Sequence, residues 1–582
     1  MAINNDMEKL VSESERIGTI GSPSSTSELS LDILGTAVRR KLVGELAFFE
    51  FQQDGNKHYS IGQITEIELR NRWLEDSTIR SLARQRGQID TISDVQDTHL
   101  GKMIISATFC DRGTRFEPSI LGTVPPTGTY ISIAEDDLIE KLLERYQDEL
   151  FYLGRVYGSN PKLPLWFKHF DSGSNGAGEA YHLGVFGKTG SGKSVLAKMI
   201  ASGYARHKNM AIFIIDPQGE FAKDYNNMQS IWPRIALKLG KRVRVLNIQQ
   251  LILDTWELFE EVILESKEFF DRLTIKGKDY KLSAVVVLID FLRKKKISLK
   301  DLYKEEVLRR LCEHIIRDDI INNIYVSKDT KERVKNHIKQ ILDDNNKFND
   351  LYRDWKKICG LFRYREGAIR ISNLMYSVFG DEKNRPIVII DLAISKDSSI
   401  DFLWNDRIQA LVIKTLLNSM NRIASEKYIN NEQGLNTLVI FDEAHRFASR
   451  ETKNDLVEEE VRRRLIDAVR TTRKYGLGWM FISQTLSSLD REIINQIRTF
   501  FFGFGLAQGS ELNALKELVN DPNSIKLYQS FRDPASAFDS KTREHSFMTI
   551  GPVSPLSFSG TPLFFNAYTP EEFCKVNFDI KG

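Results

Sequence analysis

Residues 187–194, GKTGSGKS, have the types and spacing of a loop that binds the phosphates of a nucleotide. They match the pattern G-x-x-x-x-G-K-[ST] and lie between an apolar run that predicts a strand and a run that predicts a helix. Glycine lets backbone N–H groups approach phosphate oxygens, and the N-terminus of the following helix adds a favourable dipole. The nucleotide-binding residues predicted here are Gly187, Lys188, Thr189, Gly190, Ser191, Gly192, Lys193, Ser194 and Val195.

Two members of this phosphate-binding loop have chemical roles of their own. The Lys193 ammonium is expected to reach the β- and γ-phosphates, and the Ser194 hydroxyl to hold Mg²⁺. A second carboxylate is needed to hold the ion through water, and the run LVIFDEAH supplies Asp442 at the end of an apolar strand. Glu443 follows it directly, where a carboxylate can deprotonate the attacking water, so the pair predicts ATP hydrolysis and not binding alone. Asp391 in IVIIDLA is a rival to Asp442, but no glutamate follows it.

Polar residues end two further apolar strands. Ser483 and Gln484 end the strand in FISQT, and Gln484 is expected to lie between the carboxylates and the γ-phosphate, where it would sense hydrolysis. The alternative is a glutamine that only ends a strand. AIFIIDPQGEF ends with Asp216 and reaches Glu220 after a turn. Ligands bind at the carboxyl ends of strands in open α/β sheets, which places both residues near the nucleotide. The alternative is that they form the turn.

A helix is predicted over LVEEEVRRRLIDAVRTTRKYG, residues 456–476. Its apolar residues recur every four positions, which indicates a buried stripe. Arg470 and Arg473 fall in its last turns. Cations there complement the helix dipole. The other interpretation is an arginine finger that contacts the γ-phosphate of a neighbouring subunit. From this helix alone the two interpretations are equally well supported.

The bulk composition fits a globular protein and argues against several other classes. The chain has 582 residues, of which 41% are hydrophobic, and a net charge of +2. The four cysteines have no C-x-x-C spacing, which argues against a disulfide framework or a zinc site. The N-terminal residues lack the apolar region of a signal peptide, and the strongest apolar run, AVVVLI, is too short to span a bilayer. A cytoplasmic protein with no membrane association is expected.

The pattern of elements predicts an α/β core with two additions. Short strands rich in Ile, Phe, Tyr and Thr between residue 16 and about 150 indicate a small antiparallel barrel, with a helical segment at 71–88. Residues 136–158 are predicted to form a helix that leads out of the barrel. After a Gly/Ser-rich linker at 170–180, seven unalternated apolar runs alternate with helices, which indicates a parallel sheet covered on both faces. Between about 250 and 380 only helical periodicity remains, so a helical bundle is inserted there. We place the barrel and its linker helix in residues 1–165 and the ATPase core, with a strand-rich C-terminal tail, in 166–582.

The chain has one phosphate-binding loop and room for one such core. Only 97 residues (582 − 485) follow the FISQT strand, too few for a second motor domain. An arginine finger would therefore come from another subunit, which favours a ring. The letters DEAH also occur in the name of a helicase family, but Lys193 and Asp442 are 249 residues apart, and we interpret the spelling as coincidence.

Four motifs together resemble the HerA family of hexameric DNA translocases, in the HerA/FtsK group of P-loop ATPases. They are HLGVFGKTGSGKS, IIDPQGEF, VIFDEAHRF and RKYGLGWMFISQT, and their order and the helical insertion agree as well. The resemblance implies a RecA-like ATPase core behind a barrel akin to that of rotary ATP synthases. It also implies a homohexameric ring that threads double-stranded DNA and binds ATP and Mg²⁺ between subunits, with Arg470 or Arg473 supplied in trans. Members of the family often act with a nuclease or a sirtuin-like effector, some of them in anti-phage defence.

Two departures from the family pattern bear on the site. The family often has R-E-G-R-K-Y-G where this chain has RTTRKYG, and T-Q where it has Ser483 and Gln484. The leading hypothesis is an ATP-driven double-stranded DNA translocase that works with an effector. The alternative is an ATP-binding ring that assembles and gates an effector with little translocation.

Overall fold

A closed barrel forms the N-terminal part of the chain in the computed structural model. The model describes residues 2–86, 96–171, 176–380, 384–393, 401–430, 434–451, 456–539, 542–557 and 560–579. The barrel elements are β1 (Arg16–Ile20), β2 (Glu28–Ile33), β3 (Leu46–Gln53), β4 (Asn56–Asn71), β5 (Asp97–Asp111), β6 (Phe116–Ser119), β7 (Tyr130–Ile133) and the helices α1 (Ala2–Glu13) and α2 (Ser77–Arg86). Six strands lie in the order β2-β1-β7-β3-β4-β5, and pairing of β2 with β5 closes the barrel. β6 pairs antiparallel with the last residues of β5. The side chains of a barrel strand alternate between the core and the outside: Leu29 and Leu31 of β2 are fully buried, while Ser30 between them is half-buried.

The expected helix over 136–158 is wrong in its second half. The structure has α3 (Asp136–Leu142), a 3₁₀ segment (Glu144–Glu149) and then β8 (Leu150–Val156), followed by β9 (Lys162–Trp166). β8 pairs with β9 on one side and with β20 (Leu563–Ala567) on the other. The helical period of the first residues does not continue, and the apolar and aromatic run that follows finds backbone partners about 400 residues away. The division of the chain after residue 165 stays a prediction.

An eleven-stranded sheet forms the core, and all seven strands predicted for it are present. The remaining strands are β10 (His182–Phe186), β11 (Ala211–Asp216), β12 (Val243–Asn247), β15 (Ile387–Asp391), β16 (Thr437–Phe441), β17 (Leu477–Ser483), β18 (Ile497–Gly503) and β19 (His545–Ile550). The order is β12-β15-β11-β16-β17-β10-β18-β19-β20-β8-β9, parallel from β12 to β18 and antiparallel beyond. Alternate residues of β11 enter two separate cores, Phe213 on one face and Ile214 on the other, because helices cover both faces.

Helices flank this sheet on both faces. They are α4 (Lys193–Ala205), α5 (Glu220–Asn226), α6 (Ile231–Lys238), α15 (Asp406–Ile429), α16 (Leu456–Thr472), α17 (Arg491–Ile494), α18 (Gly509–Leu518), α19 (Pro522–Gln529) and α20 (Pro570–Phe578). The predicted stripe on α16 is confirmed, since Val461, Leu465 and Val469 are fully buried. Among the described residues, no helix combines the length and the apolar character needed to cross a membrane.

The predicted helical insertion is present between β12 and β15. It consists of α7 (Trp256–Glu265), α8 (Lys267–Arg272), α9 (Lys278–Lys294), α10 (Glu305–Ile315), α11 (Asp318–Ile324), α12 (Lys328–Asp343), α13 (Asn345–Cys359) and α14 (Ile371–Val378). Two short strands, β13 (Leu251–Ile252) and β14 (Ile369–Arg370), pair in parallel and form its neck.

Trp355 anchors the insertion. Its ring is fully buried with its centroid 5.4 Å from that of Phe269, and its indole N–H donates to Leu302 O at 2.7 Å. We expect Trp355→Ala to destabilise the insertion by about 3–5 kcal/mol, because the change leaves a large cavity and an unpaired carbonyl. Urea unfolding measures the effect. Trp73→Ala is the control, since that side chain is 54% exposed and its removal should cost less than about 1 kcal/mol. Equal losses would contradict the assignment.

Candidate functional site

The strand order brings the phosphate-binding loop, Asp442 and Gln484 to one edge of the sheet. β17 lies between β10, which leads into the phosphate-binding loop, and β16, which leads into Asp442. Phe186 at the end of β10 is paired with Ser483 at the end of β17, and Phe441 at the end of β16 with Phe481. Because these strands are parallel, their carboxyl ends meet, and Gln484 emerges between the loop and the carboxylates.

The phosphate-binding loop contacts the side chain of Lys193, its own lysine. Gly190 and Gly192 have φ values of 83° and 89°, a left-handed conformation that glycine adopts without strain. A Cβ at Gly192 would also lie 2.9 Å from His545 Nδ1. The Lys193 ammonium is buried and donates to Lys188 O at 3.1 Å. Burial lowers the pKa of Lys193, and nearby carboxylates, Glu443 first, oppose that shift.

Asp442 and Glu443 lie buried where β16 ends. The Glu443 backbone N–H donates to Asp442 Oδ1 at 3.0 Å, and Glu443 has a left-handed φ of 50°. Such a conformation is uncommon for a residue other than glycine and often marks a functional position. Burial raises the pKa of Asp442 to about 7, and the negative charges of Asp216, Glu443 and Glu220 add to the shift.

Gln484 connects the predicted base to the phosphate-binding loop. Its Nε2 donates to both carboxylate oxygens of Glu443, at 3.0 and 3.2 Å. Its Oε1 accepts from the Thr189 hydroxyl at 3.1 Å. A continuous chain of hydrogen bonds therefore runs from Thr189 in the loop through Gln484 to the carboxylate of Glu443. Gln484, its middle member, follows directly after the last residue of β17.

This chain predicts that Thr189 affects turnover without contacting the carboxylate. Thr189→Val keeps the shape of the side chain but removes the hydroxyl that donates to Gln484. A neutral hydrogen bond contributes about 1 kcal/mol, so kcat should change by about fivefold. Steady-state ATPase kinetics measure the change, with Thr189→Ser as the control that restores the donor. If Val and Ser behave alike, the chain has no part in turnover.

Asp216 and Glu220 differ in what they contact. Both Asp216 carboxylate oxygens accept backbone N–H groups, from Gly219 and from Ala222, each at 2.8 Å. These contacts are those of a turn-forming residue, the alternative that the sequence left open. Glu220 instead faces the loop, where its Oε2 accepts from the Ser194 hydroxyl at 2.6 Å.

The residues around Ser194 fit a divalent cation. Asp216, Glu443 and Glu220 lie close enough to Asp442 to interact with it electrostatically, and Lys193 interacts with Asp442, Glu443 and Glu220. Burial is the main cause of the raised pKa of Asp442, and a divalent cation would relieve the repulsion from neighbouring carboxylates that adds to it. Within the described part of the chain, no group of three or more His, Cys, Asp or Glu side chains is arranged to hold a metal by itself.

Arg470 and Arg473 lie at the opposite edge of the sheet. Val469 O, one residue before Arg470, is 3.0 Å from Nε2 of His182, the first residue of β10. Arg470 pairs with Glu492 at 3.0 Å and Arg473 with Glu179 at 3.4 Å, and all four side chains are more than half exposed. Neither arginine reaches the loop of its own chain, which starts where β10 ends.

Sequence reasoning missed two residues that contact this site. His445 Nε2 lies 3.4 Å from Glu443 Oε2. Its signal was present, since it belongs to the DEAH run that we interpreted as coincidence. Glu511 of α18 accepts the backbone N–H groups of Leu486 at 2.7 Å and Ser487 at 3.2 Å, just after Gln484. Nothing in the local sequence around Glu511 predicts that contact.

Comparison with known proteins agrees with this geometry. Residues 180–405 match the family model "Helicase HerA, central domain" (DUF87). This region belongs to the HerA family. The matched region contains the phosphate-binding loop, Glu220 and the helical insertion. No curated protein matches the chain in sequence.

Several solved structures are similar to parts of the chain. VirB4 of Thermoanaerobacter pseudethanolicus is 15% identical, with a TM-score of 0.38 over 72% of this chain and 96% of that one. The bacterial conjugative coupling protein TrwBΔN70 is 13% identical, with a TM-score of 0.36 over 75% and 92%. The genome packaging NTPase B204 from Sulfolobus turreted icosahedral virus 2, in complex with AMP, is 10% identical, with a TM-score of 0.28 over 67% and 98%.

Proposed function

We propose that this HerA-type ATPase is the subunit of a homohexameric ring that hydrolyses ATP and translocates along double-stranded DNA. The observation that supports turnover best is the contact of Gln484 with both Glu443 and Thr189. A protein that only binds ATP has no need of a buried carboxylate at this place, held by a residue that also contacts the phosphate-binding loop. Gln484 would then sense each conversion of ATP to ADP at the point where β16 and β17 end.

The roles of the residues follow from their positions. Lys193 binds the β- and γ-phosphates. When the nucleotide binds, its ammonium exchanges the hydrogen bond to Lys188 O for hydrogen bonds to phosphate oxygens. Ser194 and Asp442 would hold Mg²⁺, which when bound would supply charge stabilisation to the transferred phosphoryl group. Glu443 orients the attacking water and accepts its proton. Gln484 reports the loss of the γ-phosphate to the strand that it ends.

A ring is proposed because the site is incomplete on one chain. Arg470 and Arg473 project from the edge of the sheet that is remote from the loop, where they would be available to a neighbour. Head-to-tail contacts of this kind close into rings. Six copies of the 66.9 kDa chain give about 400 kDa, which native mass spectrometry would detect. A monomer in the presence of ATP and DNA would contradict the ring.

The biological setting is proposed from the family resemblance. HerA-type proteins that pair with a nuclease or a sirtuin-like effector suggest a role in DNA processing or anti-phage defence, in the cytoplasm. The alternative function, an ATP-binding scaffold that gates an effector, requires the same ring but little hydrolysis.

ATPase activity with and without linear duplex DNA separates the two functions. A translocase should hydrolyse ATP faster on duplex DNA and displace a third strand from a triplex substrate. Lys193→Ala, which removes the phosphate-binding ammonium, is the control for contaminating activity. Hydrolysis that DNA never stimulates, together with no strand displacement, would support the scaffold.

A further inference from the structure

A second cleft lies in the helical insertion, away from the phosphate-binding loop. Its volume is about 620 Å³, and it is lined by the neck strands, the start of α7 and the residues that follow α9. That volume is in the range of pockets for small ligands, about 300–1,000 Å³. None of the residues that line it belongs to the proposed ATP site.

The cleft carries an excess of positive charge. Arg370 is paired with Asp254 at 3.2 Å. Among the residues that the structure describes, Arg293, Lys296 and Lys300 have no carboxylate oxygen within 4.0 Å of their cationic groups. The Arg293 guanidinium lies over the Trp256 ring, 5.4 Å from its centroid. The lining therefore suits an anion.

Lys296 occupies a position that usually favours glycine. α9 ends with Ile297 N bonded to Leu292 O and Lys296 N bonded to Arg293 O, both at 3.0 Å. This paired closure of a helix places its turn residue in the left-handed region, and Lys296 has a φ of 55°. A lysine at such a position is strained, so a role for its charge would account for its presence there.

The cleft also presents aromatic surface. Tyr364 is 58% exposed and lines the cleft together with the half-buried Trp256. An aromatic ring beside unpaired cations recognises a base and its phosphate, because the base stacks and the phosphate pairs with the ammonium groups. An acidic peptide would satisfy the cations but leave Tyr364 exposed.

We propose that this cleft binds a phosphorylated nucleoside, with the phosphate at Lys296 and Lys300 and the base against Tyr364. The ligand is either a free nucleotide or one unit of an unpaired nucleic-acid strand. The proposal does not depend on hydrolysis at Glu443.

Two probes applied to the full-length chain distinguish the sources. Photolabelling with 8-azido-AMP, followed by peptide mapping, tests the free nucleotide. Fluorescence anisotropy with a labelled twelve-residue oligothymidine tests the strand. Lys296→Gln is compared with Lys294→Gln, a matched loss of charge at a side chain that is 77% exposed and paired with Asp290. Lys296→Gly removes the charge and also relieves the left-handed strain, so its thermal unfolding midpoint should not fall.

A free nucleotide is indicated if the label enters peptides that contain Trp256, Lys296 or Tyr364 and is lost in Lys296→Gln. A strand is indicated if Lys296→Gln weakens oligothymidine binding and lowers the slope of log K against log salt by about 0.7, the value for one phosphate contact. The proposal is overturned if Lys296→Gln and Lys294→Gln behave alike with both probes. It is also overturned if the two variants differ only in their binding of polyglutamate, an acidic peptide that has no bases. Duplex-stimulated ATPase activity, measured in parallel, reports on the proposed motor independently.

Discussion

Glu443→Gln is expected to lower kcat for ATP hydrolysis by about 10²- to 10⁴-fold while ATP binding persists. The amide has the shape of the carboxylate and keeps an oxygen that accepts from Gln484, so the fold around it should be unchanged. It has no basic oxygen to take a proton from water. Single-turnover hydrolysis measures the chemical step, and equilibrium binding of a fluorescent ATP analogue measures affinity.

A matched control comes from Glu571, an exposed carboxylate at the start of α20. Glu571→Gln removes the same charge from the chain far from the site and should leave kcat unchanged. If Glu443→Gln retained more than about a tenth of the wild-type rate, the base would have to be sought elsewhere, because general-base catalysis contributes at least about 10²-fold. His445, 3.4 Å from Glu443, would be the next residue to test.

Replacement of the arginine finger, either Arg470 or Arg473, by alanine is expected to lower kcat by about 10³- to 10⁵-fold. Arg470→Ala and Arg473→Ala are made separately. Each breaks an exposed ion pair, with Glu492 or with Glu179, which contributes little to stability. Glu492→Gln and Glu179→Gln are the matched controls, because they break the same pairs and keep the cation. Only the finger variant should lose activity.

Mixing variants tests whether the finger acts in trans. In an equal mixture of the arginine variant and Glu443→Gln, about a quarter of the ring interfaces combine an intact carboxylate with an intact arginine. ATPase activity should therefore reappear when two inactive proteins are mixed. If it does not reappear although native mass spectrometry shows mixed rings, the arginine acts within one chain or not at all.

The local pattern of the sequence was enough to predict most of the fold. Buried strands such as β11 have unbroken apolar runs, and the glycines at 190 and 192 mark a loop whose left-handed φ values the structure shows. These features depend on residues close together in the chain. β8 was missed because its partners are β9 and β20, and nothing within its own seven residues specifies the latter.

The sequence indicates the members of the candidate site but not the contacts between them. The residues Thr189 and Gln484 are 295 positions apart, and only the strand order brings them to 3.1 Å. Whether Asp216 faces the nucleotide or its own turn depends on two backbone N–H groups whose positions the sequence does not specify. Pairing of Ser194 with Glu220 likewise follows from how α5 packs beside α4.

The pairing of β8 with β20, a strand near the end of the chain, has a consequence for biosynthesis. β8 ends at Val156, and β20, which pairs with it, begins at Leu563, 407 positions later (563 − 156). At about 5–20 residues per second, a ribosome needs about 20–80 s to supply that partner. During this time one side of β8 has unpaired backbone groups, the kind of edge that pairs with other chains. A nascent chain of this protein therefore passes through a long interval in which this edge of β8 lacks its native partner.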